Sequence, residues 1–411
     1  MTAVLDRAAC PASIRPLAPV VGADTTVPTI AGDPVVYANF DYAASAPALA
    51  SVAGRLSEAL AEYASVHRGA GHLSQVTTAR YEQARETVRR FVGGRSDDTV
   101  VFTRNTTDSI NLAAHITPGD VVVLDIEHHA NLLPWTRTGR ARVVPSAVTV
   151  DETVERIEAE LASAPAALLA ITGASNVTGE VLPIGRLAAA AHRHGARILV
   201  DAAQLVPHRA VSIASWGIDY LAFSGHKLYA PFGAGVLIGR SDWLDAAEPY
   251  LAGGGATADV DLDGVVAWHS GPARHEAGSP NTLGVVALAA AARELQEIGF
   301  EEIGYHEHRL QRRLDDGLAR LPGVHTLRIF DDATDRVGIA AFAVENHTAR
   351  SVAEYLSVTH GVGVRDGKFC AHPLLRKLGY PDGAVRVSFG LGTSSDDVDR
   401  LLSALSDLVQ R

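Results

Sequence analysis

Residues 219–239 read DYLAFSGHKLYAPFGAGVLIG. Two apolar runs, 220–223 and 236–238, flank a glycine-broken turn that carries Ser224, His226 and Lys227. The connection is too short for a parallel crossover, so the two runs are expected to pair antiparallel. A lysine at the tip of a buried strand loses hydration as an ammonium, which lowers its pKa and frees the neutral amine for bonding to a carbonyl carbon. Upstream lie further short runs of the same kind: DTVVFTR at 98–104, DVVVLDIE at 120–127, AALLAIT at 166–172 and ARILVDAA at 196–203. Longer helical or polar segments separate most of them. Nearly uninterrupted apolar strands alternating with helices imply an α/β fold with a mainly parallel sheet covered on both faces.

Before these strands, apolar residues fall at helical spacing over 48–64 and again over 74–92, where Gly93 and Gly94 stop the pattern. After residue 299 the runs HTLRIF, VGIAAFAVE, GVGVRDGKF and AVRVSFGLG mix with helical stretches at 348–358 and 395–409. The second of these opens on TSSDD, a serine cap followed by acids suited to the positive end of a helix. A large domain over 35–299 and a smaller C-terminal α+β domain over 300–411 are therefore expected, preceded by a loosely held tail at 1–34 that is rich in Ala, Pro and Thr.

The 411 residues are 47% hydrophobic and 20% charged, with a net charge of −11. That balance suits a globular chain and argues against nucleic acid or an anionic membrane as partner. No apolar run reaches the length of a membrane span, and the N-terminus has no basic region followed by an apolar core, so export is not expected. The two cysteines, Cys10 and Cys370, give no disulfide framework and suit a reducing cytoplasm. No CxxC or HExxH spacing is present, so no metal is expected.

In an open parallel sheet, ligands sit at the carboxyl edge of the strands. The residues gathered there are Asn105-Thr106-Thr107, His128, Asn176, Asp201 with Gln204, and Ser224-Gly225-His226-Lys227. Alone, each has an ordinary reading: a solvated lysine, helix caps, a hydrogen-bonded structural histidine. Together they have one chemical sense. TRNTTDSINLAA, at 103–114, leaves a strand and opens a helix whose first amides and threonine hydroxyls suit a phosphate. An aspartate at a strand end can keep a pyridine nitrogen protonated, since opposite charges about 4 Å apart attract by about 4 kcal/mol at an effective dielectric near 20. An imidazole lies flat on a ring. Imine-forming lysine, pyridinium partner, phosphate cup and stacking histidine describe a site for pyridoxal 5'-phosphate.

SGHK with GAGVL after it, DAAQ, EHHANLLPW, SNVTG and AGSPNT resemble the class V aminotransferase branch of the fold-type-I pyridoxal phosphate transferases. Within it the chain is similar to cysteine desulfurases and the related selenocysteine lyases, from FDYAASAP at Phe40 to the C-terminus. The resemblance implies that Lys227 bonds the cofactor and moves the substrate Cα proton. By the same resemblance, Asp201 holds the ring nitrogen, Gln204 the ring hydroxyl, and His128 the ring face. Thr106, Thr107, Ser224 and His226 would hold the phosphate, with Ser279 reaching across from a second copy in a homodimer. Asn176, Arg365 and Arg386 would bind the carboxylate of a small amino-acid substrate, a task that suits a guanidinium fork.

VRDGKFCAHPLL, at 364–375, matches the family segment in which a cysteine accepts sulfur. Cys370 would then attack the sulfur of cysteine, keep it as a persulfide for an acceptor protein, and release alanine. Arg365, Lys368 and His372 favour a thiolate there. The ordinary alternative for a free cysteine is a small buried hydrophobe. Two departures stand out: Lys368-Phe369 replace the usual histidine before the cysteine, and HRGAGHLS puts Gly71 where the relatives have histidine. A reading that keeps the cofactor and dispenses with Cys370, as a C–S or C–Se lyase, an aminotransferase or an epimerase, stays open on the sequence. So does a scaffold protein that has kept the fold, although the full set of Lys227, Asp201, His128 and Arg386 speaks against it.

Overall fold

The computed structural model describes residues 13–232 and 234–410. Cys10 and the rest of residues 1–12 lie outside them. Seven strands form the central sheet: β1 (Thr99–Thr103), β2 (Val121–Leu124), β3 (Ala141–Val144), β4 (Leu168–Thr172), β5 (Arg197–Asp201), β6 (Tyr220–Ser224) and β7 (Gly235–Gly239). Their spatial order is β1-β7-β6-β5-β4-β2-β3. Strands β2 to β6 pair in parallel, while β7 runs antiparallel to both β1 and β6. Every residue of β4, β6 and β7 is buried, which is why these strands read as unbroken apolar runs.

Glycine lets β7 pass the site. A Cβ at Gly235 would collide with the Thr103 side chain and the Asn105 backbone, so only glycine brings β7 this close to the turn after β1.

Helices α1 (Ala50–Ala61) and α2 (His72–Phe91) pack against α5 (Thr282–Ile298), while α3 (Thr106–Ile116) and α4 (His129–Arg137) start at the carboxyl edge of the sheet. A buried ion pair ties α2 to the chain before α5. The two Nη atoms of Arg85 donate to the two oxygens of Glu276 at 2.8 and 2.9 Å, and Tyr81 Oη and Phe102 N–H donate to the same carboxylate.

Beyond Gly299 the chain enters α6 (Phe300–Leu318) and a second, antiparallel sheet. That sheet holds β8 (Val324–Thr326), β9 (Ile339–Val344), β10 (Arg365–Gly367) and β11 (Ala384–Ser388) in the order β8-β9-β11-β10. With α7 (Ala349–His360) and α8 (Ser395–Val409) it encloses a core of Leu310, Phe342, Leu356, Val385, Phe389 and Leu401. Helix α8 starts as its sequence suggests, on a Ser394–Asp397 capping box.

The expected loose tail does not extend to residue 34. Ile14 is 2% exposed and joins the second core, Thr26–Val27 pair with Val35–Val36, and Leu17 N–H donates to the Leu391 carbonyl at 2.6 Å. The stretch has no periodicity because isolated side chains, not a repeating face, anchor it. Nor is the boundary at 35–299 clean, because Ala38 and Phe40 also belong to the second core and Ala38–Asn39 pair in parallel with Val362–Gly363. The chain visits the C-terminal unit before it builds the sheet. Glu180 ties the large unit to the chain that follows β8, its carboxylate accepting from Ile329 N–H at 2.9 Å and Phe330 N–H at 3.1 Å. Among the described residues, no helix is long and apolar enough to cross a membrane.

Candidate functional site

A cavity of about 760 Å³ opens at the carboxyl edge of the central sheet, where the two units meet. It draws on the ends of β1, β2, β4, β5 and β6, on the 43–44 loop, and on β10, β11 and the chain between them. Of the residues singled out from the sequence, Thr106, Thr107, His128, Asn176, Asp201, Gln204, Ser224, His226, Lys227, Arg365, Cys370 and Arg386 all line it. Ser279 does not. It is exposed, just before the Asn281 cap of α5.

Lys227 ends a single 3₁₀ turn, Gly225–Lys227, directly after β6. Burial pushes its ammonium down to about 8, against the pull of Asp201 in the other direction. Asp201 is buried at the end of the neighbouring β5. Its carboxyl is raised by burial and only partly restored by the Ala203 N–H, which donates to Oδ1 at 3.1 Å. The two groups act on each other inside the buried pocket: Asp201 is the main support for the charged Lys227, while Lys227 adds to the Ala203 N–H in supporting the charged Asp201.

His128 caps α4. Its Nδ1 accepts from Ala130 N–H at 3.0 Å, so the ring proton sits on Nε2. Burial, with the charge of Lys227 added, pushes this imidazole down to about 3, which leaves it neutral at physiological pH. Burial likewise lowers His226 to about 4. The motif around His128 has a structural cause that the sequence reading missed. Glu127, Asn131 and Trp135 recur at helical spacing; Asn131 Nδ2 donates to Glu127 at 2.7 Å and Trp135 Nε1 donates to Asn131 at 3.2 Å. Glu127 also accepts from Thr172 N–H at 3.0 Å, which locks the start of α4 to β4, and burial raises its carboxyl to about 8.

Two hydroxyls in the cavity have nothing to bond. Thr106 Oγ1, at the first turn of α3, and Ser224 Oγ, at the end of β6, are buried without a hydrogen-bond partner among the described residues. A buried, unsatisfied hydroxyl costs on the order of 1–3 kcal/mol. Two of them beside a helix N-terminus, capped by Asn105, make a cradle whose chemistry fits a phosphate. Thr107 is exposed at its rim. With Lys227, Asp201 and His128 around the same space, the donor set fits pyridoxal phosphate.

On the opposite wall, Arg386 is only 4% exposed. Its Nη1 donates to the Asn176 carbonyl and its Nη2 to Asp41 Oδ1, both at 3.0 Å, while Nε is buried without a partner. Arg365 stands at the mouth, its Nη1 3.7 Å from Asp41 Oδ2. Asp41, in FDYAASAP, was not picked out from the sequence. Gln204 Nε2 donates to the Ala43 carbonyl at 2.8 Å, so the same loop braces both walls.

Cys370 is exposed to this space. Its loop is held firmly. Asn176 Nδ2 donates to the Phe369 carbonyl at 2.8 Å, His129 N–H to the Cys370 carbonyl at 2.8 Å, and the Arg386 guanidinium lies 5.2 Å from the Phe369 ring centre. Phe369 and Cys370 both have φ near +52°, a left-handed conformation that costs non-glycine residues about 1 kcal/mol or more. Asn176, expected to meet substrate, thus spends one of its two N–H donors on the cysteine loop.

The chain belongs to the class-V aminotransferase family, whose model matches residues 38–401. More particularly, it is 38% identical over 388 residues to a cysteine desulfurase of Klebsiella pneumoniae strain 342, covering 91% of this chain and 93% of that one. A cysteine desulfurase of Dickeya dadantii is also 38% identical, over 391 residues and 92% of each chain. Among solved structures, the apo cysteine desulfurase of Thermococcus onnurineus NA1 superposes with a TM-score of 0.84 at 35% identity, covering 91% of this chain and 95% of that one. The Escherichia coli cysteine desulfurase CsdA, in an S-sulfonic acid form, gives a TM-score of 0.80 at 33% identity over 91% of this chain and 94% of its own. The expected fold, a mainly parallel sheet of the pyridoxal phosphate transferase type with a smaller α+β unit, agrees with these neighbours.

Proposed function

We propose that this chain is a pyridoxal phosphate-dependent cysteine desulfurase that converts L-cysteine to L-alanine and retains the sulfur on Cys370. The observation that carries the reading is that Lys227 and Cys370 line one cavity, between Asp201 on one wall and Arg386 on the other.

Lys227 would hold the aldehyde carbon of the cofactor, Asp201 the ring nitrogen, Gln204 the ring hydroxyl and His128 the ring face. The orphan hydroxyls of Thr106 and Ser224, with Thr107 and His226, would hold the phosphate, and Ser279 would complete that contact from a second copy in a homodimer. Bound there, the cofactor supplies an electron sink for the pair left when the substrate Cα–H bond breaks. Arg386, with Arg365 and the free N–H of Asn176, orients the substrate carboxylate. Lys227, once substrate has displaced it from the cofactor, takes the Cα proton and later returns one; burial, which lowers its ammonium to about 8 in the cofactor-free chain, favours the neutral amine this requires. The Cys370 thiolate attacks the substrate sulfur. As its Sγ–S bond forms, the substrate Cβ–S bond breaks with its electron pair left on carbon; a proton added at Cβ and one returned to Cα then give alanine. The persulfide then passes to an acceptor, either a protein or a small thiol. A cytoplasmic setting suits a thiol that must stay reduced.

Product analysis tests this. Native protein loaded with pyridoxal phosphate should give equimolar alanine and sulfide from L-cysteine plus a reductant. Cys370→Ala should keep the yellow cofactor absorbance and lose sulfide release. Normal turnover by that variant would favour a lyase, aminotransferase or epimerase that uses the same cofactor site without Cys370.

A further inference from the structure

We infer that Asp41 is a positioning residue for the substrate carboxylate, acting through Arg386; the inference rests on the proposed amino-acid substrate. Arg386 is almost fully buried and reaches its site from the last strand of the second sheet. A guanidinium so placed has five N–H donors and needs its plane fixed before it can grip an anion through two of them. Asp41 fixes it. One carboxylate oxygen takes Nη2 at 3.0 Å, and the Asn176 carbonyl takes Nη1 at 3.0 Å from another segment. Two anchors define the plane and leave three N–H donors, the unpartnered Nε among them, from which an incoming anion can take two.

Asp41 is itself held from both sides. Its N–H donates to Asn39 Oδ1 at 3.0 Å, Ser388 N–H donates to the Phe40 carbonyl at 2.7 Å, and Ala43 N–H donates to Ser388 Oγ at 2.9 Å. Asp41 and the strand that carries Arg386 therefore move as one body. The other carboxylate oxygen lies 3.7 Å from Arg365, whose side chain is 54% exposed. One negative charge thus serves two guanidiniums. It relieves their repulsion and still leaves a net positive charge for an anion.

The experiment uses full-length, cofactor-loaded protein and two ligands, L-alanine and its methyl ester, followed by the shift in cofactor absorbance. Steady-state kinetics with L-cysteine run beside it. Asp41→Ala should weaken L-alanine binding and raise the cysteine KM by about tenfold or more, with kcat within about twofold, because an interaction shared by ground and transition states is lost. Binding of the ester, which has no carboxylate, should not change. Asp41→Asn keeps an oxygen to accept Nη2 and should recover to within about threefold of native. If Asp41→Ala does not fold, Asp41→Ser, too short to reach Nη2, gives the same comparison. Equal losses for acid and ester, no loss for either, or a fall in kcat alone would overturn the assignment. If the native chain makes no alanine from cysteine, the desulfurase reading fails by itself, and the acid–ester comparison still decides the role of Asp41.

Discussion

The backbone N–H of His129 donates to the carbonyl of Cys370 at 2.8 Å. The first residue of α4 therefore holds the Cys370 loop of the second unit, while its neighbour His128 lines the cavity. Asn176 makes the companion bond to Phe369. Together they maintain two successive left-handed residues that would relax if released. Asn176→Ala should free the loop. Alkylation of Cys370 by iodoacetamide, followed by mass spectrometry, should quicken, while sulfide release from cysteine falls by about tenfold and cofactor absorbance persists.

Lys227 makes the cofactor-free protein sensitive to alkali in an unusual direction. Its folded pKa is about 8, below the ordinary lysine value of 10.5, so between these limits the unfolded chain binds more protons than the folded one. Stability should rise as pH climbs from about 8 to 10.5, by up to about 3 kcal/mol, and be lost on the way back down. Denaturation curves of native protein and Lys227→Met across that range isolate the effect, since the variant lacks the gain. Capture of added pyridoxal phosphate should quicken over the lower part of the same window as the amine loses its proton.

His128 should stay neutral wherever the protein is folded. Burial holds it near 3, so the ring resonances of this residue in the cofactor-free protein should not titrate between about pH 5 and 8, where exposed histidines do. A midpoint near 6.5 would show that the ring is wetter than its surroundings imply.

The orphan hydroxyls make a prediction of opposite signs. Thr106→Val removes a buried group without a partner and should stabilise the cofactor-free protein by up to about 1 kcal/mol. The same change should weaken pyridoxal phosphate retention by about tenfold, because a phosphate ligand is lost. Ser224→Ala should behave alike. Thermal melts with and without cofactor read both effects.

Glu276 accepts four hydrogen bonds, two of them from Arg85, next to the turn that bears Ser279. Glu276→Ala leaves Arg85 with Glu82 as its carboxylate partner but strips Tyr81 Oη and Phe102 N–H of their acceptor, and should destabilise the fold by about 2–3 kcal/mol, measured by urea denaturation.

Strands β4, β5, β6 and β7 are plain in the sequence because burial on both faces demands unbroken apolar residues, and the short 225–234 connection dictates the antiparallel turn of β7. Lys227, Asp201, His128 and the Thr106 turn were legible because each sits at the end of such a strand. Asp41 was not, since its partner Arg386 is 345 residues away and nothing local marks an aspartate that clamps a distant arginine. Glu127, Asn131 and Trp135 were legible only as a string of letters; their helical spacing across the N-terminus of α4 was the signal available. The packing of residues 13–34 escaped notice because single anchors such as Ile14 leave no periodic trace.

The span between Asp41 and Arg386 also sets an order of events during synthesis. A ribosome making this chain could complete the central sheet, and with it the lysine turn and phosphate cradle, while β11 is still untranslated. On the proposed reading, the residues that would take the aldehyde are thus made well before the strand that would bring selectivity for an amino-acid carboxylate.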